Sequence, residues 1–253
     1  MLRTRLIPVL TLKDGRIIKT VRFDRYRDVG HPLTVGKVFD AQDVDELILL
    51  DITATQEGRE PDWQHLEMTA DMCSMPLTIG GGISDLSHVR RLLQIGADKV
   101  AINSAAIRTP ELLTQAAQRF GSQCIVVSLD ALRHEDGRCE VLIDGGYKCT
   151  GLQPAEAAKR VERAGAGEIL LTAIHRDGTM LGYDVDLMRE VVDAVDIPVI
   201  INGGAGLLSD LVEGIKKTGA SAAAASSLFA FTDNKPVKAR AFMLQHHVHV
   251  RPI

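Results

Sequence analysis

The segment Pro76-Leu77-Thr78-Ile79-Gly80-Gly81-Gly82-Ile83 recurs, slightly altered, as Pro198-Val199-Ile200-Ile201-Asn202-Gly203-Gly204-Ala205-Gly206. In each copy a proline opens a short apolar run, and glycines follow that run, directly in the first copy and after Asn202 in the second. Glycines leave room for a phosphate group, and backbone N–H groups at the start of a following helix point at it. The two copies therefore predict two anion sites and a substrate with two phosphate ends.

Other landmarks repeat at nearly the same spacing. Glu46-Leu47-Ile48-Leu49-Leu50 is matched 122 positions later by Glu168-Ile169-Leu170-Leu171-Thr172, and Asn103-Ser104-Ala105 is matched 123 positions later by Ser226-Ser227-Leu228. Arrays of strands, turns and helices resemble one another by chance, but four coincidences in the same order favour a duplication of the whole chain. We therefore expect a single domain, residues 1–253, with similar halves at about 1–121 and 122–253.

Composition excludes several classes of protein. The chain has 253 residues, 45% hydrophobic and 25% charged, as in ordinary globular proteins. Its net charge of −4 argues against a nucleic-acid partner. No stretch reaches the roughly 18 apolar residues that span a membrane, so we expect a cytoplasmic protein without a membrane partner. The four cysteines lack Cys-x-x-Cys spacing and no cluster has metal-ligand spacing, so we expect no metal, disulfide or cofactor. We interpret the histidine-rich segment 245–251 as a loose, solvated tail.

Eight short apolar runs without polar alternation predict strands that are buried on both faces, as in a parallel sheet covered by helices. Helical patterns lie between them, and eight such units in this length fit an α/β fold, the (β/α)₈ TIM barrel. An open doubly wound sheet is the alternative, but it ordinarily has fewer strands and does not explain a half-chain repeat. The eight runs are Leu6–Leu10, Glu46–Leu50, Leu77–Ile79, Lys99–Ile102, Ile125–Leu129, Glu168–Leu171, Pro198–Ile201 and Ala222–Ala225.

Position along the strands sorts the polar residues. In such barrels the residues just past the carboxyl ends of the strands build the active face, whereas the opposite face serves stability or partners. Charged residues at strand starts, on the opposite face, are Arg5, Glu46, Lys99 and Glu168. Residues expected on the active face are Thr11, Lys19, Asp51, Thr53, Gly80, Gly81, Gly82, Asn103, Ser104, Asp130, Thr172, Asp177, Gly203, Gly204, Ser226 and Ser227.

Over nearly its whole length the chain resembles a known family, the cyclase subunit of imidazole glycerol phosphate synthase, whose barrel is built of two similar halves. The resemblance rests on eight motifs together. These are Lys13-Asp14-Gly15-Arg16, Leu50-Asp51-Ile52-Thr53-Ala54, Gly80-Gly81-Gly82-Ile83, Asp98-Lys99-Val100, Ile102-Asn103-Ser104-Ala105-Ala106, Phe120-Gly121-Ser122-Gln123, Arg176-Asp177-Gly178-Thr179 and Gly203-Gly204-Ala205-Gly206.

The resemblance implies an ammonia relay. A glutaminase subunit would form a heterodimer with this chain and release ammonia, which would pass through the barrel core to a bisphosphate substrate. The four strand-start charges would mark the entrance, although a salt-bridge cluster that closes the barrel floor is the alternative, and Asp98 and Gln123 would lie on the glutaminase-docking face. Residues implied to bind substrate and its phosphates are Lys19, Asp51, Gly81, Gly82, Asn103, Ser104, Thr172, Asp177, Gly178, Gly203, Gly204, Ser226 and Ser227.

One catalytic position departs from the family. The family's route uses two carboxylates as acid and base; Asp130 supplies one, but Thr11 stands where the family has the other aspartate. A threonine hydroxyl stays protonated near neutral pH, and losing a positioned acid or base typically costs ~10²–10⁴-fold in rate. Asp14 belongs to a turn beyond the strand and is not expected to substitute.

Three further features lie near the same face. His175 replaces a family aspartate and is interpreted as a surface histidine without a catalytic part, and Thr20-Val21-Arg22 stands where the family usually has Gly-Val-Asn. Cys149 has a neighbouring lysine but no identifiable histidine partner, so nucleophilic catalysis is not expected. The polar stretch Asp24–His31 is predicted to be a mobile lid.

Three functions remain open. The first is a cyclase-type subunit that yields imidazole glycerol phosphate and aminoimidazole carboxamide ribonucleotide in histidine biosynthesis. The second resembles a paralogous branch in surface-polysaccharide synthesis, in which the barrel relays ammonia to a sugar-amidinating enzyme; the segment Lys19-Thr20-Val21-Arg22-Phe23 is similar to that branch. The third, isomerisation of a sugar phosphate in the sister barrel of the same pathway, also needs two carboxylates and gains nothing from the charge ring.

Overall fold

A computed structural model describes residues 3–252. Strands and helices alternate along most of the chain, and a short 3-10 turn, Ser122–Cys124, precedes the seventh strand. The strands are β1 Arg5–Lys13, β2 Arg16–Val21, β3 Asp24–Gly30, β4 Leu47–Asp51, β5 Leu77–Gly80, β6 Lys99–Ile102, β7 Ile125–Arg133, β8 Cys139–Ile143, β9 Lys148–Cys149, β10 Glu168–Ala173, β11 Val199–Asn202 and β12 Ala222–Ala225. The helices are α1 Pro32–Asp40, α2 Ala54–Glu57, α3 Trp63–Ala70, α4 Leu86–Gln94, α5 Ser104–Arg108, α6 Glu111–Phe120, α7 Pro154–Ala164, α8 Val185–Val192, α9 Leu208–Thr218, α10 Ser227–Ala230 and α11 Pro236–Gln245.

Eight of the strands form a closed parallel barrel in the order β1, β4, β5, β6, β7, β10, β11, β12. Parallel pairing of β7 with β10 and of β12 with β1 completes the circle. The predicted (β/α)₈ barrel is therefore confirmed, each predicted run lies on one of these strands, and the open doubly wound sheet is excluded.

The half-chain repeat recurs in the geometry. The first strand of each half continues into an antiparallel hairpin: β1 pairs with β2, where Thr11 faces Ile18, and β7 pairs with β8, where Asp130 faces Leu142. The helices α3 and α8 both begin after an aspartate whose side chain accepts a backbone N–H, and these two residues, Asp62 and Asp184, are 122 positions apart.

The core has two parts. The larger part lies between the sheet and its helices, and the smaller part fills the inside of the barrel. Leucine, isoleucine and valine line most of this interior, but β6 and β12, on opposite sides of the barrel, contribute only alanines. The interior residues are Ile7, Val9, Ile48, Ala101, Val126, Leu170, Ile200, Ala222 and Ala224.

The prediction of a loose C-terminal tail was wrong. Val250 forms a parallel bridge with Thr4, and both Val248 and Val250 are buried. The Arg251 guanidinium pairs with the carboxylate of Asp43 at 2.8 Å and with that of Asp45 at 3.1 Å. Apolar alternation and ion pairs hold the segment against the bottom of the barrel.

None of the helices within residues 3–252 has the length and apolar character needed to cross a membrane.

Candidate active site

A cavity opens at the carboxyl ends of the barrel strands, with an empty volume of about 920 Å³ that includes its open mouth. Most of the polar residues predicted on this face line it: Thr11, Lys19, Asp51, Gly81, Asn103, Ser104, Asp130, Thr172 and Asp177. The other predicted residues lie outside its lining: Thr53, Gly80, Gly82, Gly178, Gly203, Gly204, Ser226 and Ser227.

Asp130 projects into the cavity from β7 and is 8% exposed. Its carboxylate accepts a hydrogen bond from Asn103 Nδ2 at 2.9 Å and a longer one from Ser128 Oγ at 3.5 Å. Burial raises the pKa of Asp130 to about 7; the Asn103 hydrogen bond opposes this shift, and the nearby charge of Asp177 adds to it. Both protonation states are therefore accessible near neutral pH, as an acid–base catalyst requires.

Lys19 and Asp177 form a second charged group in the cavity. Both are buried, and Asp177 accepts a hydrogen bond from Thr20 Oγ1 at 3.0 Å. Burial lowers the pKa of the Lys19 amine, against the attraction of Asp177. Burial also raises the pKa of Asp177, against the charge of Lys19 and the Thr20 hydrogen bond. The cavity thus holds two carboxyls and one amine whose charged forms are all disfavoured by burial.

Thr11 lies across the barrel from Asp130, on β1. Its hydroxyl donates to the backbone carbonyl of Ile18 on the adjacent strand β2. The predicted turn beyond β1 is confirmed: Asp14 lies in it, 70% of its side chain is exposed, and its carboxylate is 3.4 Å from Lys13 Nζ. Neither residue therefore places an ionisable oxygen in the cavity opposite Asp130.

All four glycines of the two pairs have positive φ values. Gly81 and Gly82 have φ values of 104° and 70°, and Gly203 and Gly204 have values of 92° and 115°. A Cβ atom on Gly81 would lie 2.0 Å from the carbonyl oxygen of Asp51, and one on Gly203 would lie 2.8 Å from that of Ala173, the residue 122 positions after Asp51. Within residues 3–252 we find no acceptor for the N–H groups of these four glycines. They form two equivalent sets of donors, which suit an anion.

Asp51 holds the backbone that follows β4 in place. Its side chain is fully buried, and Arg59 donates two hydrogen bonds to it, at 2.7 and 2.9 Å. The backbone N–H groups of Thr53, Ala54 and Asp62 also donate to it. Because these donors occupy both carboxylate oxygens, Asp51 fixes the chain after β4.

His175 is half-buried, and the interpretation of a surface histidine was wrong. Its Nδ1 accepts from the backbone N–H of Arg133 at 3.2 Å, which leaves Nε2 to donate to Asp184 at 2.8 Å. Asp184 also receives two hydrogen bonds from the Arg133 guanidinium and one from the N–H of Leu187. Burial alone would raise the pKa of Asp184, but these partners hold it well below its usual range.

A ring of four charges closes the opposite end of the barrel. Glu46 accepts from Arg5 at 2.7 Å and from Lys99 at 2.9 Å, while Glu168 accepts from Lys99 at 2.7 Å and also from Arg5. Thr78 Oγ1 donates to Glu46 at 2.6 Å. Burial opposes the charge on Arg5, but the two glutamates outweigh it and raise the Arg5 pKa. The structure thus joins all four predicted residues in one network across the barrel floor.

Asp98 and Gln123, the two residues implied to contact a partner, are both exposed. Asp98 precedes β6 and accepts from the backbone N–H of Leu77 at 2.8 Å, and Gln123 precedes β7. Both therefore lie at the same end of the barrel as the charge ring.

Several cavity residues escaped the sequence analysis. Ser128 and Asn202 lie on β7 and β11, and Gln56 lies on α2. Ser128 lies two residues from both Val126 and Asp130 on β7, and residues two apart on a strand point to the same face. Its inward direction was therefore predictable from the sequence. Asn202 occupies the position that corresponds to Gly80 in the first half, where a lone asparagine among glycines was the available signal.

A closed barrel with acid–base groups in a cavity at the carboxyl ends of its strands defines the class, that of the barrel enzymes. A family model described as "Histidine biosynthesis protein" matches residues 5–234, and this chain belongs to that family. It is accordingly a barrel enzyme of the histidine-biosynthesis type. Among residues 3–252 no group of three or more His, Cys, Asp and Glu side chains is placed to hold a metal ion.

Proposed function

We propose that this chain is a cyclase-type synthase subunit, which takes ammonia from a glutaminase and adds it to a bisphosphate substrate. The products would be imidazole glycerol phosphate and aminoimidazole carboxamide ribonucleotide. The observation that carries the proposal is that one barrel combines a charge ring at its floor with an acid–base cavity at its mouth. A sugar-phosphate isomerase needs the cavity but has no use for the ring.

The bisphosphate would span the mouth of the cavity. One phosphate would accept hydrogen bonds from the N–H groups of Gly81 and Gly82, and the other from those of Gly203 and Gly204. The buried serines Ser104 and Ser227, which begin α5 and α10, lie in corresponding positions of the two halves. A ligand held at both ends would place its central, reactive atoms over Asp130.

Ammonia would enter at the end of the barrel that carries the charge ring. The ring of Arg5, Glu46, Lys99 and Glu168 would form the entrance, and the route to the cavity floor would run beside Ala222 and Ala224, whose side chains are small. That floor includes Val9, which belongs both to the interior cluster and to the cavity lining. An apolar route suits a neutral molecule, because charged ammonium would lose its hydration there. The glutaminase would dock on the bottom face, near Asp98 and Gln123.

A second candidate is favoured by Thr11. Its hydroxyl is occupied by the Ile18 carbonyl, so position 11 offers no acid or base. In this alternative the chain keeps its ligand site and its ammonia route but relays ammonia to a sugar-amidinating enzyme.

Turnover with ammonium salts separates the two candidates. The purified chain would be assayed at alkaline pH with the bisphosphate substrate and no glutaminase, beside Thr11→Asp and Asp130→Asn variants. Turnover by the unmodified chain that Asp130→Asn abolishes would support the cyclase. Silence in the unmodified chain, with turnover in Thr11→Asp, would reject the cyclase in favour of the relay.

A further inference from the structure

We propose that Asp177, positioned by the Thr20 hydroxyl, supplies the second proton-transfer group of the cavity and works as a pair with Asp130. The inference rests on the proposed cyclase function. It assigns the role that position 11 leaves unfilled to a residue in the turn after a different barrel strand, β10.

Contacts from the β2–β3 hairpin fix the direction of Asp177. Thr20 Oγ1 donates to Asp177 Oδ2 at 3.0 Å, and the backbone N–H of Arg22 donates to the Asp177 carbonyl at 2.8 Å. The next residue, Gly178, lies so close to β2 that a Cβ atom there would be 2.0 Å from the Thr20 carbonyl oxygen. The hairpin therefore reaches across the barrel mouth and holds the aspartate from the side of the missing carboxylate.

Thr11 on β1 and Thr20 on β2 have different hydrogen-bond partners. Thr11 donates its hydroxyl to a backbone carbonyl, whereas Thr20 donates its hydroxyl to a carboxylate. Within residues 3–252 the Thr20 hydroxyl is the only hydrogen-bond donor to the Asp177 carboxylate. The remaining oxygen, Oδ1, is therefore available to a ligand, since Asp177 lines the cavity.

The surrounding charges suit a pair that shares protons. Lys19 on β2 acts electrostatically on Asp177, and Asp177 in turn acts on Asp130 on β7. Burial raises the pKa of both aspartates, and the charge of Asp177 raises that of Asp130 further. Two such carboxyls favour a state with one proton between them, in which one can donate while the other accepts.

This pair meets the proton balance of ammonia addition to a carbonyl carbon. The nitrogen lone pair forms the N–C bond, and the C–O π electrons move to oxygen. The protonated carboxyl gives its proton to that oxygen, and the ionised carboxylate takes a proton from the nitrogen. The pair ends with the proton count with which it began, with the two roles exchanged, so no further reactant is needed.

Steady-state kinetics with ammonium salts and the bisphosphate substrate test the pair. Asp177→Asn should lower kcat at least ~100-fold with KM changed by less than about threefold. Thr20→Val should lower kcat by about tenfold and move the acidic limb of the pH profile upward, because it removes a hydrogen bond to the charged form, and Thr20→Ser should restore both. Thr179→Val is the matched control, since its hydroxyl, in the same turn, donates to the Arg176 carbonyl.

Other outcomes overturn the assignment in distinguishable ways. An active wild type whose Asp177→Asn variant keeps kcat within about threefold would refute the role of Asp177 and leave the cyclase standing. A silent wild type that Thr11→Asp activates would show that Asp177 does not replace the missing carboxylate. Silence in the wild type and in Thr11→Asp alike would reject the cyclase function itself.

Discussion

Replacing Asp130 with asparagine should stabilise the protein at neutral and alkaline pH although it removes the acid–base group. Burial raises the pKa of this carboxyl to about 7 in the folded state, whereas an unfolded aspartate titrates near pH ~4. Between pH ~5 and ~7 the unfolded chain has therefore released a proton that the folded chain keeps. The free energy of unfolding of the wild type therefore falls as the pH rises through this window, and it stays lower above the window.

The size of the effect follows from the width of the window. Each pH unit costs about 1.4 kcal/mol, so two units remove about 3 kcal/mol from the free energy of unfolding of the wild type. Asparagine keeps nearly the same shape, can accept the Asn103 hydrogen bond and does not titrate. The difference in stability between variant and wild type should therefore grow by about 3 kcal/mol from pH ~5 to ~8.5.

Urea unfolding of both proteins at the two pH values measures this difference. Asp14→Asn, on the exposed β1–β2 turn, is the control and should change the free energy of unfolding by less than about 0.5 kcal/mol at either pH. A stability difference for Asp130→Asn that stays constant within about 0.5 kcal/mol across this range would refute the buried, proton-retaining carboxyl.

Three further perturbations have defined outcomes. Gly81→Ala should lower the free energy of unfolding, measured with urea, by more than about 3 kcal/mol, because its Cβ would overlap the Asp51 carbonyl. Gly137→Ala, also at positive φ but in open space, should lower it by about 1 kcal/mol. Equal losses in the two variants would contradict the close packing at Gly81. Asp184→Ala should lower the free energy of unfolding by about 3 kcal/mol at pH ~7 and by progressively less as the pH falls below ~4. The reason is that a carboxyl with a lowered pKa stabilises the fold only while it is ionised. Asp186→Ala, at an exposed position of the helix that follows Asp184, should show neither effect. Under the proposed ammonia route, Ala222→Leu should lower glutamine-driven turnover at least ~10-fold relative to ammonium-driven turnover, because the larger side chain would fill the barrel interior. Ala222→Ser is the control. Equal losses of glutamine-driven and ammonium-driven turnover would exclude this route.

Residues whose role follows from local pattern were predictable from sequence. The apolar runs gave the eight barrel strands because continuous burial has a simple signature. The strand-start charges met at the barrel floor because parallel strands bring equivalent positions to one end, and Asp130 reached the cavity for the corresponding reason at the other end.

Residues whose role depends on tertiary contacts were not predictable in this way. The bond from Thr20 to Asp177 needs the β2–β3 hairpin to fold across the barrel, and nothing local to either residue specifies that. Arg133, whose backbone N–H donates to His175, is likewise distant from it in sequence. The C-terminal segment was predictable in principle, since Val248 and Val250 alternate with exposed histidines as in a half-buried strand, but the histidines dominated the interpretation.

One bisphosphate ligand is expected to span the two duplicated N–H sites, and calorimetric titration of the chain with the bisphosphate substrate measures whether it does. Ser104→Asp and Ser227→Asp form a matched pair, because each adds a negative charge at the start of the helix after the strand that neighbours one glycine pair. We predict one ligand bound per chain, with the affinity lowered at least ~10-fold by either substitution. Two independent ligands per chain, or an affinity that responds to only one of the two substitutions, would contradict the account.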